Sequence, residues 1–223
     1  MRSWRRATLP VVAFMAIAGC SLGGSGGLPD AALMLRDAGA AGRSVKSAHV
    51  LMITTGPVAG LGFRRLDADA ARGAGAQGVA VLNAAPRQVD FVETHGQLFV
   101  NASAGKYALA SQQISAAMPG TSTLLDPDRG IAGVMMSKVQ NPKTVAKENI
   151  NGITAFRIVG TLPSEALPDV LASTHADAAF SVWLRVRFPH VPLDTRLRFA
   201  GNGADLDIQT SKVNQPVVVH LPG

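Results

Sequence analysis

Cysteine occurs once, tyrosine once and tryptophan twice in the 223 residues, and aromatic side chains make up only 5 %. A single cysteine excludes an intrachain disulfide and a cysteine-built metal cage. So few aromatics leave no platform for stacking bases, and no Arg/Lys cluster is interleaved with them, so no nucleic-acid partner is expected. His49, His95, His175, His190 and His220 stand singly, without an H-E-x-x-H pattern, which argues against metal ligation. No G-x-S-x-G nucleophile elbow is present. Gly73-Ala74-Gly75-Ala76-Gln77-Gly78 spells G-x-G-x-x-G, but it precedes the strand-like Val79-Ala80-Val81-Leu82 instead of opening a helix, so it reads as a hairpin loop. Ser103-Ala104-Gly105-Lys106 spells S-x-x-K with no Ser-Asp-Asn or Lys-Thr-Gly partner, and reads as a loop. The pairs Asp67/Asp69 and Asp205/Asp207 fall at i,i+2 on strands and share a solvent face. Nothing has the look of catalysis, and neither a metal nor a cofactor is expected.

What is present begins at the N-terminus. Arg2, Arg5 and Arg6 precede an apolar run from Ala7 to Ile17 that only Thr8 and Pro10 interrupt. This is a signal peptide's charged and hydrophobic regions, too short for a permanent span. Ile17-Ala18-Gly19-Cys20 follows, small residues before the sole cysteine, and resembles the bacterial lipobox. Residues 1–19 are therefore expected to be a lipoprotein signal peptide, with Cys20 lipidated and anchored on the extracytoplasmic face of the membrane. Without the three signal arginines, the formal charge of +6 falls to +3, so the basic pI says little about partners. Residues 20–28 form a flexible Gly/Ser tether, and 29–223 a single domain large enough for its own core.

Along that domain, Pro29 and Asp30 open an amphipathic helix to about Arg43, with Leu33 and Leu35 on its apolar face. Strands are expected at 47–54, 61–71, 79–84, 89–93 and 97–100, the last two joined across His95-Gly96. Ser111 opens a weak helix that stops at Pro119-Gly120. Asp126-Pro127-Asp128 reads as the cap of a helix carrying Ile131, Val134 and Met135 and closing at Lys138. A hairpin spans 144–162 about Asn151-Gly152, and 163–173 reads as a third short helix. Three strands end the chain, with Val182, Leu184, Val186, Phe188, Leu197, Phe199, Leu206 and Ile208 facing one way. Arg185, Arg187, Arg196, Arg198, Asp205 and Asp207 face the other.

An antiparallel sheet of about eight to ten strands with one apolar face must cover that face and will curl. The fold class is therefore α+β: a strongly curved sheet, or half-barrel, with helices on its concave side. Hydrophobic residues reach 47 % with few aromatics, so small side chains either let sheet and helices approach closely or leave a cavity between them. Inward strand parity and the middle helix nominate its lining: Ala80, Leu82, Phe91, Leu98, Val134, Met135, Phe156, Ile158, Val182, Leu184, Leu197 and Leu206.

Short motifs in order carry a resemblance to a family. They are Leu28-Pro29-Asp30-Ala31, Ser47-Ala48-His49, Asp126-Pro127-Asp128-Arg129-Gly130-Ile131, Asn151-Gly152 through Arg157-Ile158-Val159-Gly160, and Val182-Trp183-Leu184. The chain resembles the LppX/LprA/LprF/LprG group of actinobacterial cell-envelope lipoproteins over nearly its whole mature length, the LprG type most. The resemblance implies a half-barrel similar to LolA and LolB, with a hydrophobic cavity that holds acyl chains. It implies an acylated lipid or glycolipid ligand, of the triacylated glycolipid, lipoarabinomannan or triacylglyceride type, moved towards the outer envelope together with a major-facilitator efflux transporter. The alternative is a periplasmic adaptor of the same fold with a filled core, modulating a membrane sensor or transporter.

Overall fold

A computed structural model describes residues 27–84, 88–101, 105–118, 120, 124–128, 130–167, 171 and 173–220, the side chains of 131–134 excepted. Cys20, the signal peptide 1–19 and the tether up to residue 26 lie outside the described residues.

The first helix, α1 (Ala31–Arg43), starts where a side chain can satisfy its free amides. Asp30 is the N-cap and accepts a hydrogen bond from Leu33 N at 2.8 Å. Its buried stripe is made of Ala31, Met34, Leu35, Ala38 and Ala41. Leu35 lies in this stripe as expected, whereas Leu33 is 52 % exposed and faces solvent.

From Ser47 the period switches to two. The strands are β1 (Ser47–Thr55), β2 (Phe63–Ala71), β3 (Gly75–Leu82), β4 (Gln88–Thr94), β5 (Gln97–Asn101) and β6 (Ala108–Leu109), then β7 (Gln140–Ile150), β8 (Ile153–Leu162), β9 (Ala178–Arg185), β10 (Pro192–Phe199) and β11 (Asp205–Ser211). Helices α2 (Gln112–Ala117) and α3 (Ile131–Lys138) lie between β6 and β7. All pairings are antiparallel, in one 11-stranded sheet of order β6-β5-β4-β3-β2-β1-β11-β10-β9-β8-β7. The chain thus runs a meander to one edge, crosses through the helices to the other edge, and returns to meet its own first strand.

Such a sheet laid flat would be about 50 Å wide at the usual strand spacing. Yet Leu82 and Phe91 near one edge and Ile158 and Leu184 near the other belong to one contiguous core, together with Met34, Leu35 and Met135 of the helices. The sheet is curled around the helices, an open half-barrel. Its two edges never pair. One is the two-residue β6, and the other is β7, which carries Lys143, Lys147, Pro142 and two register shifts that discourage pairing with another chain.

Four expectations are corrected. The strand β3 begins at Gly75, so the glycine motif is half turn and half strand. A side chain at Gly78 would collide with the backbone carbonyl of Asp67, and one at Gly75 with that of Glu93, so the neighbouring strands approach too closely for anything but glycine. Asp126 does not cap α3, whose N-cap is Gly130. Instead Asp126 closes a turn on Asp128 N at 2.9 Å and on Gly130 N through its carbonyl at 2.8 Å. Where the third helix is expected, the described residues show a 3-10 turn at Ser164–Ala166 and a 3-10 position at Leu171, with 168–170 and 172 outside the described residues. Finally, β9 ends at Arg185, and Phe188 sits in the following loop, 74 % exposed. Alternation continues in the sequence beyond the point where the strand stops.

Candidate functional site

The concave face is built by parity. From β1 come Ala48, Val50 and Met52, from β2 Leu66, Ala68 and Ala70, from β3 Ala76 and Ala80, all buried. The opposite half contributes larger side chains in cross-strand pairs: Leu197 with Leu206, Val182 with Ile158, Leu184 with Phe156. Over this floor lie Met118, Leu124, Met135, Met136, Leu167 and Leu171, also buried. The cover is thin. Helix α2 buries no residue of its own, and it is held by Gly62 N donating to Ala117 O at 2.8 Å, where glycine alone fits under Ala117.

The nominated lining falls on this face. Ala80, Phe91, Met135, Ile158, Val182, Leu184, Leu197 and Leu206 are completely buried, Leu82 nearly so, and Leu98 and Phe156 pack partly buried against the same core. Val134 lies among the side chains outside the description. These residues pack against one another, and none of them borders the small void between the sheet and the cap segment.

That void is about 50 Å³, lined by Gly42 in the last turn of α1 and Val45 just beyond it, by Val50, Thr195, Ile208 and Thr210 of the sheet, by Val191 and Pro192, and by Leu124, Leu125 and Asp126 above. It is far below the roughly 300–1,000 Å³ of pockets that enclose a drug-sized ligand. Next to it is an open groove of about 390 Å³, with Val45, Val191 and Thr210 in both linings. Ile153, Leu193 and Val213 give the groove an apolar wall, and Arg185, Lys212, Asn214 and Gln215 give it a polar one. Void and groove together form a mouth leading under the cap. Strand parity could have found Val50, Ile208 and Thr210. Leu124 and Leu125 sit in a short 3-10 turn and Val191 in a loop, neither long enough to carry a period.

A latch ties the cap down. Arg72, at the end of β2, donates from Nε to Leu125 O at 3.0 Å and from Nη2 to Arg43 O at 2.9 Å. One guanidinium thereby ties the cap segment to the end of α1.

The convex face is polar and cross-linked. His49 bridges Asp69 at 2.9 Å and Asp67 at 3.3 Å, and Arg65 pairs with Asp67. Further along, Arg196 holds Asp194 and Asp207 at 3.0 Å each, and Trp183 donates to Glu148 at 2.7 Å. Asp194 is buried, and burial, with Asp207 beside it, pushes its carboxyl up to about 6 against the partial pull of Arg196. Arg198 holds the more exposed Asp205 carboxyl below the usual range. Among the described residues no group of His, Cys, Asp and Glu could hold a metal ion, and no helix is long and apolar enough to cross a membrane.

Three comparisons bear on these features. The family model described as LppX_LprAFG lipoprotein matches residues 30–219. The lipoarabinomannan carrier protein LprG of Mycobacterium leprae is 26 % identical over 215 residues, covering 92 % of this chain and 89 % of the relative. Its counterpart of the same name in Mycobacterium tuberculosis (strain ATCC 25618 / H37Rv) is 28 % identical over 219 residues, covering 95 % and 91 %. Among solved structures, LprF from Mycobacterium bovis superposes with a TM-score of 0.74 at 21 % identity, covering 88 % of this chain and 99 % of that one. The lipoprotein LppX of Mycobacterium tuberculosis superposes with a TM-score of 0.67 at 23 % identity, covering 85 % and 97 %. At those identities the superpositions speak for the shared half-barrel.

Proposed function

The chain belongs to the LppX_LprAFG lipoprotein family, and on that premise we propose that it is a membrane-anchored carrier whose interior takes up the acyl chains of a lipid and delivers them across an aqueous gap. The observation that carries this reading is the single apolar interior drawn from both ends of an open sheet, roofed by short helices and joined to a groove at one rim. Relatives named lipoarabinomannan carrier proteins support it. Each methylene moved from water to such an interior is worth ~0.8 kcal/mol, enough over a long chain to offset much of its extraction from a bilayer.

Loading requires the packed interior to open. The parts that must yield are Leu124, Leu125, Met135 and Met136, and unbranched methionine side chains repack at low cost. The nominated residues from Ala80 to Leu206 would then become the wall against which the tails lie. The ligand class is an acylated lipid or glycolipid, of the triacylated glycolipid, lipoarabinomannan or triacylglyceride type, and the partner a major-facilitator efflux transporter. The anchor is Cys20, on the extracytoplasmic face; because one acyl chain binds a membrane only reversibly, stable attachment takes two or more.

One observation favours a second reading. A void of about 50 Å³ is what a periplasmic adaptor with a filled core would show. Native mass spectrometry of the protein with Cys20→Ala separates the two. Co-purified lipid, exchangeable for added lipid, is the result expected of a carrier. A bare polypeptide mass that stays bare after incubation with lipid leaves the adaptor.

A further inference from the structure

The rim that holds the mouth has an uneven charge. Its connections are 44–46, 72–74, 95–96, 151–152, 186–191 and 212–215, and none contains Asp or Glu. Cations there, and on the elements leading into it, are Arg43, Lys46, Arg72, Arg185, Arg187 and Lys212. The cap segment behind brings Asp126 and Asp128, and Asp126 is already engaged. Asp69, Glu93, Glu148 and Asp194, on the neighbouring strands, are spent elsewhere: Asp69 is bound to His49, Glu148 to Arg157 and Trp183, Asp194 to Arg196, and Glu93 is buried.

At the tip of the rim stands Phe188, the most exposed large apolar side chain among the described residues at 74 %. Its loop is held in shape. Arg185 donates to Arg187 O at 3.3 Å and Pro189 O at 3.2 Å, and the Phe188 ring meets His190 edge to face at 5.9 Å between centroids. Val186 N reaches Thr154 O at 3.0 Å, which sets this loop beside Ile153, itself 42 % exposed and part of the groove wall. An aromatic tip flanked by cations is the chemistry of the zone between headgroups and acyl chains.

We infer that this rim docks on the surface of an anionic bilayer, with Phe188 and Ile153 dipping below the headgroups and Arg187, Lys212 and Lys46 against the phosphates. The groove then opens directly onto the acyl layer. Its purpose rests on the carrier reading, but its geometry does not. An acidic partner protein would suit the charge but would leave Phe188 without a reason to be held out in water.

The test is vesicle flotation of the protein with Cys20→Ala, so that no acyl anchor contributes. Vesicles are phosphatidylcholine alone, or phosphatidylcholine with about 30 % phosphatidylglycerol. Binding is expected only to the anionic vesicles, weakening with salt. The pair Arg187→Glu and Lys212→Glu should reduce it about ten-fold or more, Phe188→Ala should reduce it at every salt concentration, and Lys106→Glu on the opposite rim should leave it unchanged. All four positions are exposed, so the variants are expected to keep the parent melting temperature. Equal binding to both vesicles, no binding to either, or rim variants that bind like the parent would each overturn the inference. Lipid found in the native mass spectrum beside absent vesicle binding sinks the docking surface alone. Vesicle binding beside a bare mass sinks the carrier reading alone.

Discussion

Arg196 lies over the ring of Trp183, its guanidinium carbon 4.8 Å from the ring centroid. The stacking holds the guanidinium where Arg196 reaches both Asp194 and Asp207, and the Asp194 carboxyl is itself buried. Two carboxylates therefore share one arginine that rests on a buried indole, an arrangement that prefers one of them protonated.

A pH signature follows. Folded Asp194, at about 6 against an ordinary 3.8, holds its proton more tightly than the unfolded chain does. Its contribution favours folding fully below about pH 4 and is lost as pH rises through about 6. Asp194→Asn removes this dependence. Unfolding free energies of the two proteins from urea titrations between pH 4 and 7 should diverge in favour of the variant as pH rises, by an amount on the order of 2 kcal/mol. Parallel curves would mean the carboxyl titrates normally.

Blocking the passage differs from crowding the core. Val191 lines both the groove and the void, so Val191→Trp is expected to cut lipid uptake about ten-fold with little loss of stability. Leu184 is wholly enclosed, and Leu184→Trp is expected to destabilise the fold by about 1–3 kcal/mol. Uptake of a fluorescent lipid, measured beside thermal melts, separates the two effects.

The Arg72 latch is testable by motion. Arg72→Ala frees the Leu125 and Arg43 carbonyls, and amide exchange in 124–128 should accelerate. If the cap governs loading, lipid uptake speeds up in step. Stability should fall by about 1 kcal/mol, since the lost hydrogen bonds are exposed ones.

Gly78→Ala examines the tightest strand approach. The new methyl would press on the Asp67 carbonyl and the Ala68 backbone, neither of which can swing aside. A loss of about 2 kcal/mol or more is expected in urea unfolding.

Much of the fold was legible from residues. The opposed parity of Leu197 and Arg196, or of Leu206 and Asp207, gave the faces of β10 and β11, and Asn151-Gly152 and His95-Gly96 turn with positive φ at both positions as their chemistry demands. Strand ends were harder. Gly75 and Gly78 look like turn residues, and only the closeness of β2 and β4 explains them inside a strand. Phe188 continues an alternation after the ladder has ended. The site was half visible. Its floor follows from period two, whereas Leu124, Leu125 and Val191 are placed by short connecting segments whose course depends on what they cover.

The two unpaired edges, β6 and β7, have a mechanical consequence. In a closed barrel, strand number and stagger set the radius, so the enclosed volume is fixed by topology. Here no hydrogen bond needs to break for the margins to spread, and the capacity of the hollow can follow the size of its guest. A family of such proteins could serve cargoes of very different girth without changing its strand count.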